Sequence, residues 1–174
     1  MITHFKHICS ICMGWMSEHL TLIGYKKCNS CGYTEKTMIT MKELLNNKYK
    51  LEDQSAEIQK NLKELLEKIN KIRDLYGKPM TVTSGLRTME DHLRIYAEKN
   101  ITDPKKIPMK SKHLSGFAVD ILDSDGKLNA WCKANEKSLK EIGFWLETRQ
   151  GPWQHFQIRP YGSYSEGKTL FFNP

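Results

Sequence analysis

Ser111-Lys112-His113-Leu114-Ser115-Gly116-Phe117-Ala118-Val119-Asp120 is the stretch that says most about this chain. A strand beginning near Gly116 turns successive side chains to opposite faces. Phe117, Val119 and Ile121 then share one face and read as core. Gly116, Ala118 and Asp120 share the other, which is unusually small and ends in a carboxylate. Small residues beside a carboxylate leave room for an ion or a ligand. His113 lies just before the strand and can fold back toward that space.

Further along, Pro152-Trp153-Gln154-His155-Phe156-Gln157 alternates in the same way, so Trp153, His155 and Gln157 share a face. If the two strands are neighbours, His155 meets His113 and Asp120. Two imidazoles and one carboxylate supply three metal ligands and leave a fourth position for water, the pattern of a catalytic zinc site. The spacing alone also fits plainer roles. A lone histidine is more often structural, and Asp120 could be a strand-end cap or an ion-pair partner.

Upstream, Ile58, Leu62, Leu65, Leu66, Ile69, Ile72 and Leu75 recur mostly at steps of three or four. That period predicts a long helix from about Ser55 with a core-facing stripe, stopped by Gly77 and Pro79. Residues 41–45 predict a short helix, and 80–83 are β-prone. Thr88 is placed to cap a helix over 89–98, with Asp91 at the third helical position. Residues 99–112 read as a Lys- and Pro-rich loop, 128–142 as one helix ending at Gly143, and 170–172 as a last short strand. Few strands mixed with helices give an α+β fold, a small antiparallel sheet with flanking helices, over residues 39–174.

Charged residues make up 27% and the hydrophobic set 39% of the 174 residues, which excludes a disordered chain. No apolar run reaches the roughly 18 residues of a membrane span. The first residues lack the apolar stretch of a signal peptide, so synthesis in a cytoplasm is the expectation. The net charge of +7 favours polyanionic partners, whether nucleic acid, anionic membrane or acidic wall polymer, without choosing among them.

Residues 1–38 form a separate unit. Cys9 and Cys12 make one Cys-x2-Cys pair and Cys28 and Cys31 another, 15 residues apart. In a reducing compartment this spacing reads as a metal site before it reads as two disulfides or free thiols. Four thiolates close a tetrahedral shell around Zn2+ and leave no open position, so the site is structural. The segment resembles zinc ribbons, with strands expected at 20–23 and 33–40. His4 and His7 are extra to a shell that four cysteines complete. Cys132 reads as a buried helix residue.

Taken together, Ser-x-His-x-x-Gly-x-Ala-x-Asp and Trp-x-His resemble the zinc D-alanyl-D-alanine carboxypeptidase and L-alanyl-D-glutamate endopeptidase family, whose fold is shared by hedgehog-type domains. Leu44-Leu45, the long helix, the Thr81-to-Arg87 run and Tyr96 stand in that family's order, and the resemblance covers about residues 40–174. Its small size is similar to that of phage-encoded members.

The resemblance implies that His113, Asp120 and His155 hold a catalytic Zn2+, besides the structural one. Arg87 matches an arginine facing the active site, where it suits a substrate carboxylate or a developing oxyanion. Ser111, Ser115 and Trp153 are implied near the substrate. The implied reaction is hydrolysis, with a carboxylate taking the proton of the attacking water. Many members carry that carboxylate three residues before the last histidine, where this chain has Pro152. Glu147 is the nearest upstream substitute.

These implications describe a peptidoglycan stem-peptide hydrolase, a phage endolysin or virion lysin. It would be made in the host cytoplasm and act in the periplasm or wall after release, or be carried on the virion. The ribbon would bind the wall or a protein partner. Two alternatives stand beside this reading. One is a catalytically inactive zinc-binding wall module, favoured by Pro152. The other is a ribbon-led nucleic-acid binder, supported only by the ribbon and the charge.

Overall fold

We describe a computed structural model over residues 16–17, 25–28, 30, 34–36, 38–160 and 170–173. Near the N-terminus, β1 (Met16–Ser17), β2 (Tyr25–Cys28) and β3 (Thr34–Lys36) pair antiparallel in that order. Cys9, Cys12, Cys31 and the strand expected at 20–23 lie outside the described residues, and of Cys28 only the backbone is described. The expected four-thiolate zinc site therefore also lies outside them.

The helices begin where the capping residues stand. Thr40 opens α1 (Met41–Leu44) with a reciprocal box. Its hydroxyl accepts from the Glu43 amide, and the Glu43 carboxylate accepts from the Thr40 amide at 3.0 Å. The Ser55 hydroxyl caps α2 (Ala56–Tyr76) and the Thr88 hydroxyl caps α3 (Met89–Glu98). Each such cap stabilises by about 1 kcal/mol. Leu62, Leu65, Ile69 and Ile72 of α2 are fully buried against Val119, Ile121, Phe144, Leu146 and Phe156. Burying each large apolar side chain stabilises by roughly 1.5–3 kcal/mol.

Leu75 departs from the predicted stripe and is 55% exposed. At 3.6 residues per turn, Tyr76 falls at the stripe's centre and Leu75 roughly a quarter turn away. Tyr76 takes the inner place, edge-on to Trp131 with ring centroids 5.2 Å apart. The helix expected over 128–142 is two, α4 (Lys127–Ala134) and α5 (Glu136–Ile142). Asn135 separates them. Its side-chain amide donates to the Trp131 carbonyl at 2.8 Å, the local competition that makes asparagine a poor interior helix residue.

The main sheet has five strands in the order β4-β5-β7-β6-β8. These are β4 (Val82–Ser84), β5 (Ala118–Leu122), β6 (Trp145–Glu147), β7 (Trp153–Gln157) and β8 (Phe171–Phe172). The sheet is mixed rather than wholly antiparallel, because β8 runs parallel to β6. Both edges of β7 are taken by β5 and β6, and the returning chain pairs with the outer edge of β6. It runs opposite to β7, and so along β6. The class is α+β with helices flanking a small sheet.

Two glycines allow the close approaches that shape the site. A Cβ at Gly85 would overlap the Leu44 carbonyl, and the next amide, of Leu86, donates to that carbonyl at 2.7 Å. Gly116 ends the 3-10 turn Lys112–Ser115 at φ 70°, the left-handed region that favours glycine. A Cβ there would also crowd Leu62 of α2.

Candidate metal centre

Strand register assembles the site. Asp120 on β5 pairs with His155 on β7. Across the other edge of β7, Trp145 pairs with Gln157 and Leu146 with Phe156, so the ladder carries Glu147 to the level of His155. Glu147 in turn pairs with Phe172 on β8, and Ser84 on β4 with Asp120. Paired residues point to the same face. One row across the sheet therefore reads Ser84, Asp120, His155, Glu147, Phe172. His113 closes over it from the 3-10 turn, which is held by a 3.1 Å bond from the Arg87 amide to the His113 carbonyl.

The ligand-capable atoms of His113, Asp120 and His155 lie within 4.8 Å of one another, and all three side chains are buried. His113 Nε2 stands 3.3 Å from Asp120 Oδ2, and His155 Nδ1 stands 2.8 Å from Asp120 Oδ1. The outward ring nitrogens fix the tautomers. His113 Nδ1 faces the Gly85 carbonyl at 2.8 Å and must donate to it. His155 Nε2 faces Gln157 Oε1 at 3.1 Å. The Gln157 amide nitrogen donates to the Arg159 carbonyl at 2.6 Å, so its oxygen is the atom His155 meets. In the neutral imidazoles the inward nitrogens are then bare. Two lone pairs and an acceptor-only carboxylate converge on one point, and only a cation or extra protons relieve that convergence.

This donor set fits Zn2+. Two imidazole nitrogens, one carboxylate and an open side facing a cleft make the catalytic coordination pattern. The outward partners, a backbone carbonyl and an amide oxygen, orient the rings as metal-bound histidines require. Burial pushes the His113 pKa down against the pull of Asp120. Burial also works against charge on Asp120 and His155. For Asp120 the attraction of His113, and after it that of His155, outweighs burial, and for His155 the hydrogen bond and charge of Asp120 do, so the carboxyl falls well below and the imidazole rises above its ordinary range.

Arg87 reaches into the same place. Its Nη2 donates to Asp120 Oδ2 at 3.0 Å and its Nε to Ser84 Oγ at 2.9 Å. It is thus paired to a ligand of the site while still lining the cleft. Glu147 lines the cleft too. Burial raises its pKa, and the Asp120 charge adds to that, while His155, Lys99 and Arg87 oppose. A single buried amide fixes its backbone. Gln154 Nε2 donates to the carbonyls of Glu147 and His155, at 3.0 and 3.1 Å, while Gln154 Oε1 accepts from Asn129 at 2.6 Å.

The cleft above this row has a volume of about 460 Å³. Ser111 and Trp153 line it. Ser115 does not: its carbonyl accepts from Asn61 Nδ2 at 2.9 Å, on the α2 side of the turn. Sequence reasoning passed over the partner role of Gln157, although the strand alternation already put it beside His155. It also passed over the Gly85 carbonyl and the cleft lysines Lys99, Lys110 and Lys112. Nothing in the local sequence marks those, because each depends on a long-range approach.

Residues 37–96 match a family model described as Peptidase M15. The matched stretch is about a third of the chain and includes Arg87 but not His113, Asp120 or His155. No curated protein and no solved structure matches. The family match and the buried three-donor cluster together support a zinc metallopeptidase. Among the described residues, no helix is long and apolar enough to cross a membrane.

Proposed function

We propose that the chain is a zinc-dependent hydrolase of peptidoglycan stem peptides, of the D,D-carboxypeptidase or L-alanyl-D-glutamate endopeptidase type, serving as a phage endolysin or virion lysin. The observation that carries the peptidase reading is the convergence of the bare nitrogens of His113 and His155 on Asp120, at the floor of an open cleft. A zinc ion held by these three residues would supply Lewis acidity to a scissile carbonyl and to the attacking water.

The protein's own groups account for the rest. Glu147, one strand from His155 and on the same face, takes the proton of the water and passes it to the leaving amine. Its raised pKa brings it nearer to the working range of a general base. This position answers the lack of an acid at Pro152 and favours an active enzyme over a silent binding module. Arg87 orients Asp120 and offers its remaining guanidinium edge to a substrate carboxylate or developing oxyanion. Ser111 and Trp153 flank the bound peptide.

On this reading the protein is made in the host cytoplasm and works in the periplasm or wall, or travels with the virion. A four-cysteine ribbon over residues 1–38, with Cys9, Cys12, Cys28 and Cys31 around a structural zinc, would add a wall or protein contact. The direct test is digestion of purified peptidoglycan by the zinc-loaded protein, with mass spectrometry of the released fragments and His113→Ala as control. New termini at one stem bond, absent with the control, are the expected result. Intact stems across several wall chemotypes would turn the reading to a binding module.

A further inference from the structure

Besides the sheet residues, the segment from Lys99 to Lys112 lines the cleft and brings three lysines, Lys99, Lys110 and Lys112, to it. None of the three ammonium groups forms an ion pair with a carboxylate among the described residues. Lys99 rests over the Tyr96 ring, 5.6 Å from its centroid. It is also close enough to Glu147 to draw that carboxyl's pKa down against burial. With Arg87, four cations line a cleft whose carboxylates, among the described residues, are Asp120 and Glu147. Asp120 is committed to Arg87 and the two histidines. Elsewhere, Lys48, Lys68, Lys71, Lys127 and Lys140 meet carboxylates at 3.8 Å or less, while other surface lysines such as Lys42, Lys60 and Lys137 have no such partner among the described residues. The cleft lysines are left unneutralised, and a concave site of one sign focuses its field on what enters. Beside them, Met109, 47% exposed, and Trp153 offer apolar surface for a peptide backbone and short side chains.

We propose that Lys99, Lys110 and Lys112 form a carboxylate-recognition wall, so that the cleft takes an acidic peptide with a free carboxylate within a few residues of the bond above His113, Asp120 and His155. Where the cleaved bond lies rests on the hydrolase reading; the preference for a carboxylate does not. That carboxylate can be the C-terminus of the peptide or belong to an internal acidic residue, and the two sources present the same charge.

The test is equilibrium binding by calorimetry to the zinc-loaded full chain, read beside cleavage of the same probes. One pair of probes is acetyl-Lys-D-Ala-D-Ala with a free C-terminus and its C-terminal amide. The other is acetyl-Ala-D-Glu amide and its D-Gln counterpart. In at least one pair, the acid is expected to bind about 10-fold more tightly than its neutral twin, the size of a charge-assisted hydrogen bond. The pair that shows the preference names the source. Raising the ionic strength should shrink the ratio. Lys99→Gln/Lys110→Gln/Lys112→Gln should bring it close to one, as should the single substitutions in part, while Lys137→Gln, exposed on α5 outside the cleft, should keep it. Equal binding within both pairs, no binding of any probe, or a ratio that survives the triple substitution in a protein with unchanged melting would each overturn the wall. An acid preference without cleavage would retain the wall and remove the hydrolase reading. Cleavage with no acid preference would do the reverse.

Discussion

On the sheet side of the cleft, Asp120, His155 and Glu147 stand at one level on three adjacent strands. Elsewhere on its lining, Lys99, Lys110 and Lys112 ride on a segment whose regular structure is limited to the 3-10 turn Pro104–Lys106 and the start of the turn at Lys112. The first side is buried and locked by ladder hydrogen bonds, a Gln154 amide and the outward partners of both histidines. The second is largely exposed and held by few such bonds. The contrast matches what each side is asked to do. Coordination and proton transfer need fixed distances, and strands give them. Attraction between charges acts over several ångströms and tolerates a moving wall.

The largest effect should come from breaking the fixed side. Asp120→Asn leaves two imidazoles with a neutral amide and strands Arg87 beside it. Several kcal/mol of Lewis-acid stabilisation would be lost with the metal, so turnover should drop by roughly 10³-fold or more. Metal analysis should show one zinc fewer per chain than in the wild type.

A subtler break is Gln157→Leu, which keeps the strand but removes the acceptor from His155 Nε2. Loss of such an outward partner should weaken zinc affinity by about 10- to 100-fold. Competition with a chelator measures this, and excess zinc should restore much of the activity. On the adjustable side, Lys110→Gln alone should raise KM by no more than about 5-fold, the scale of one exposed charge pair, and the difference should fade in salt.

The smallest effect tests the brace behind the fixed side. Arg159, whose carbonyl orients Gln157, grips Glu64 of α2 with Nη1 and Nη2 at 2.9 and 2.7 Å. The Arg159 hydrogen bond, helped by Lys68 against some desolvation, lowers the Glu64 pKa to about 2. A carboxyl lowered in the folded state stabilises the fold above its unfolded pKa and loses that contribution as pH falls through the folded one. Glu64→Gln should therefore cost about 0.5–1 kcal/mol near neutral pH. In urea titrations the gap from wild type should close as pH drops from about 4.5 toward 2.

Much of this was legible in the chain. Thr88, Ser55 and Gly77 mark helix ends by chemistry that acts over three or four residues. The period-two faces around Ala118 and Phe156 put Asp120 and His155 on facing sides of two strands before any pairing was known. What failed to show depended on distant partners. Strand β6 is only Trp145-Leu146-Glu147, too short for a period to register, so the sequence marks Glu147 as the nearest upstream carboxylate before a loop and not as a strand neighbour of His155. The parallel β8 comes from a long-range pairing with β6. The Asn135 break, the outward turn of Leu75 and the lysine wall come from tertiary geometry that no local pattern encodes. Ser115 resembles a substrate-side residue by motif, yet it is absent from the cleft lining and its carbonyl accepts from Asn61.

On the proposed reading, the sheet row divides into metal-holding residues and a separate proton carrier. Zinc content and turnover of Glu147→Gln, measured on one preparation, test it directly. The prediction is wild-type zinc per chain with kcat lowered by about 10²- to 10⁴-fold, the usual worth of a positioned general base. Full zinc with turnover near that of the wild type would contradict it and place the proton carrier elsewhere in the cleft.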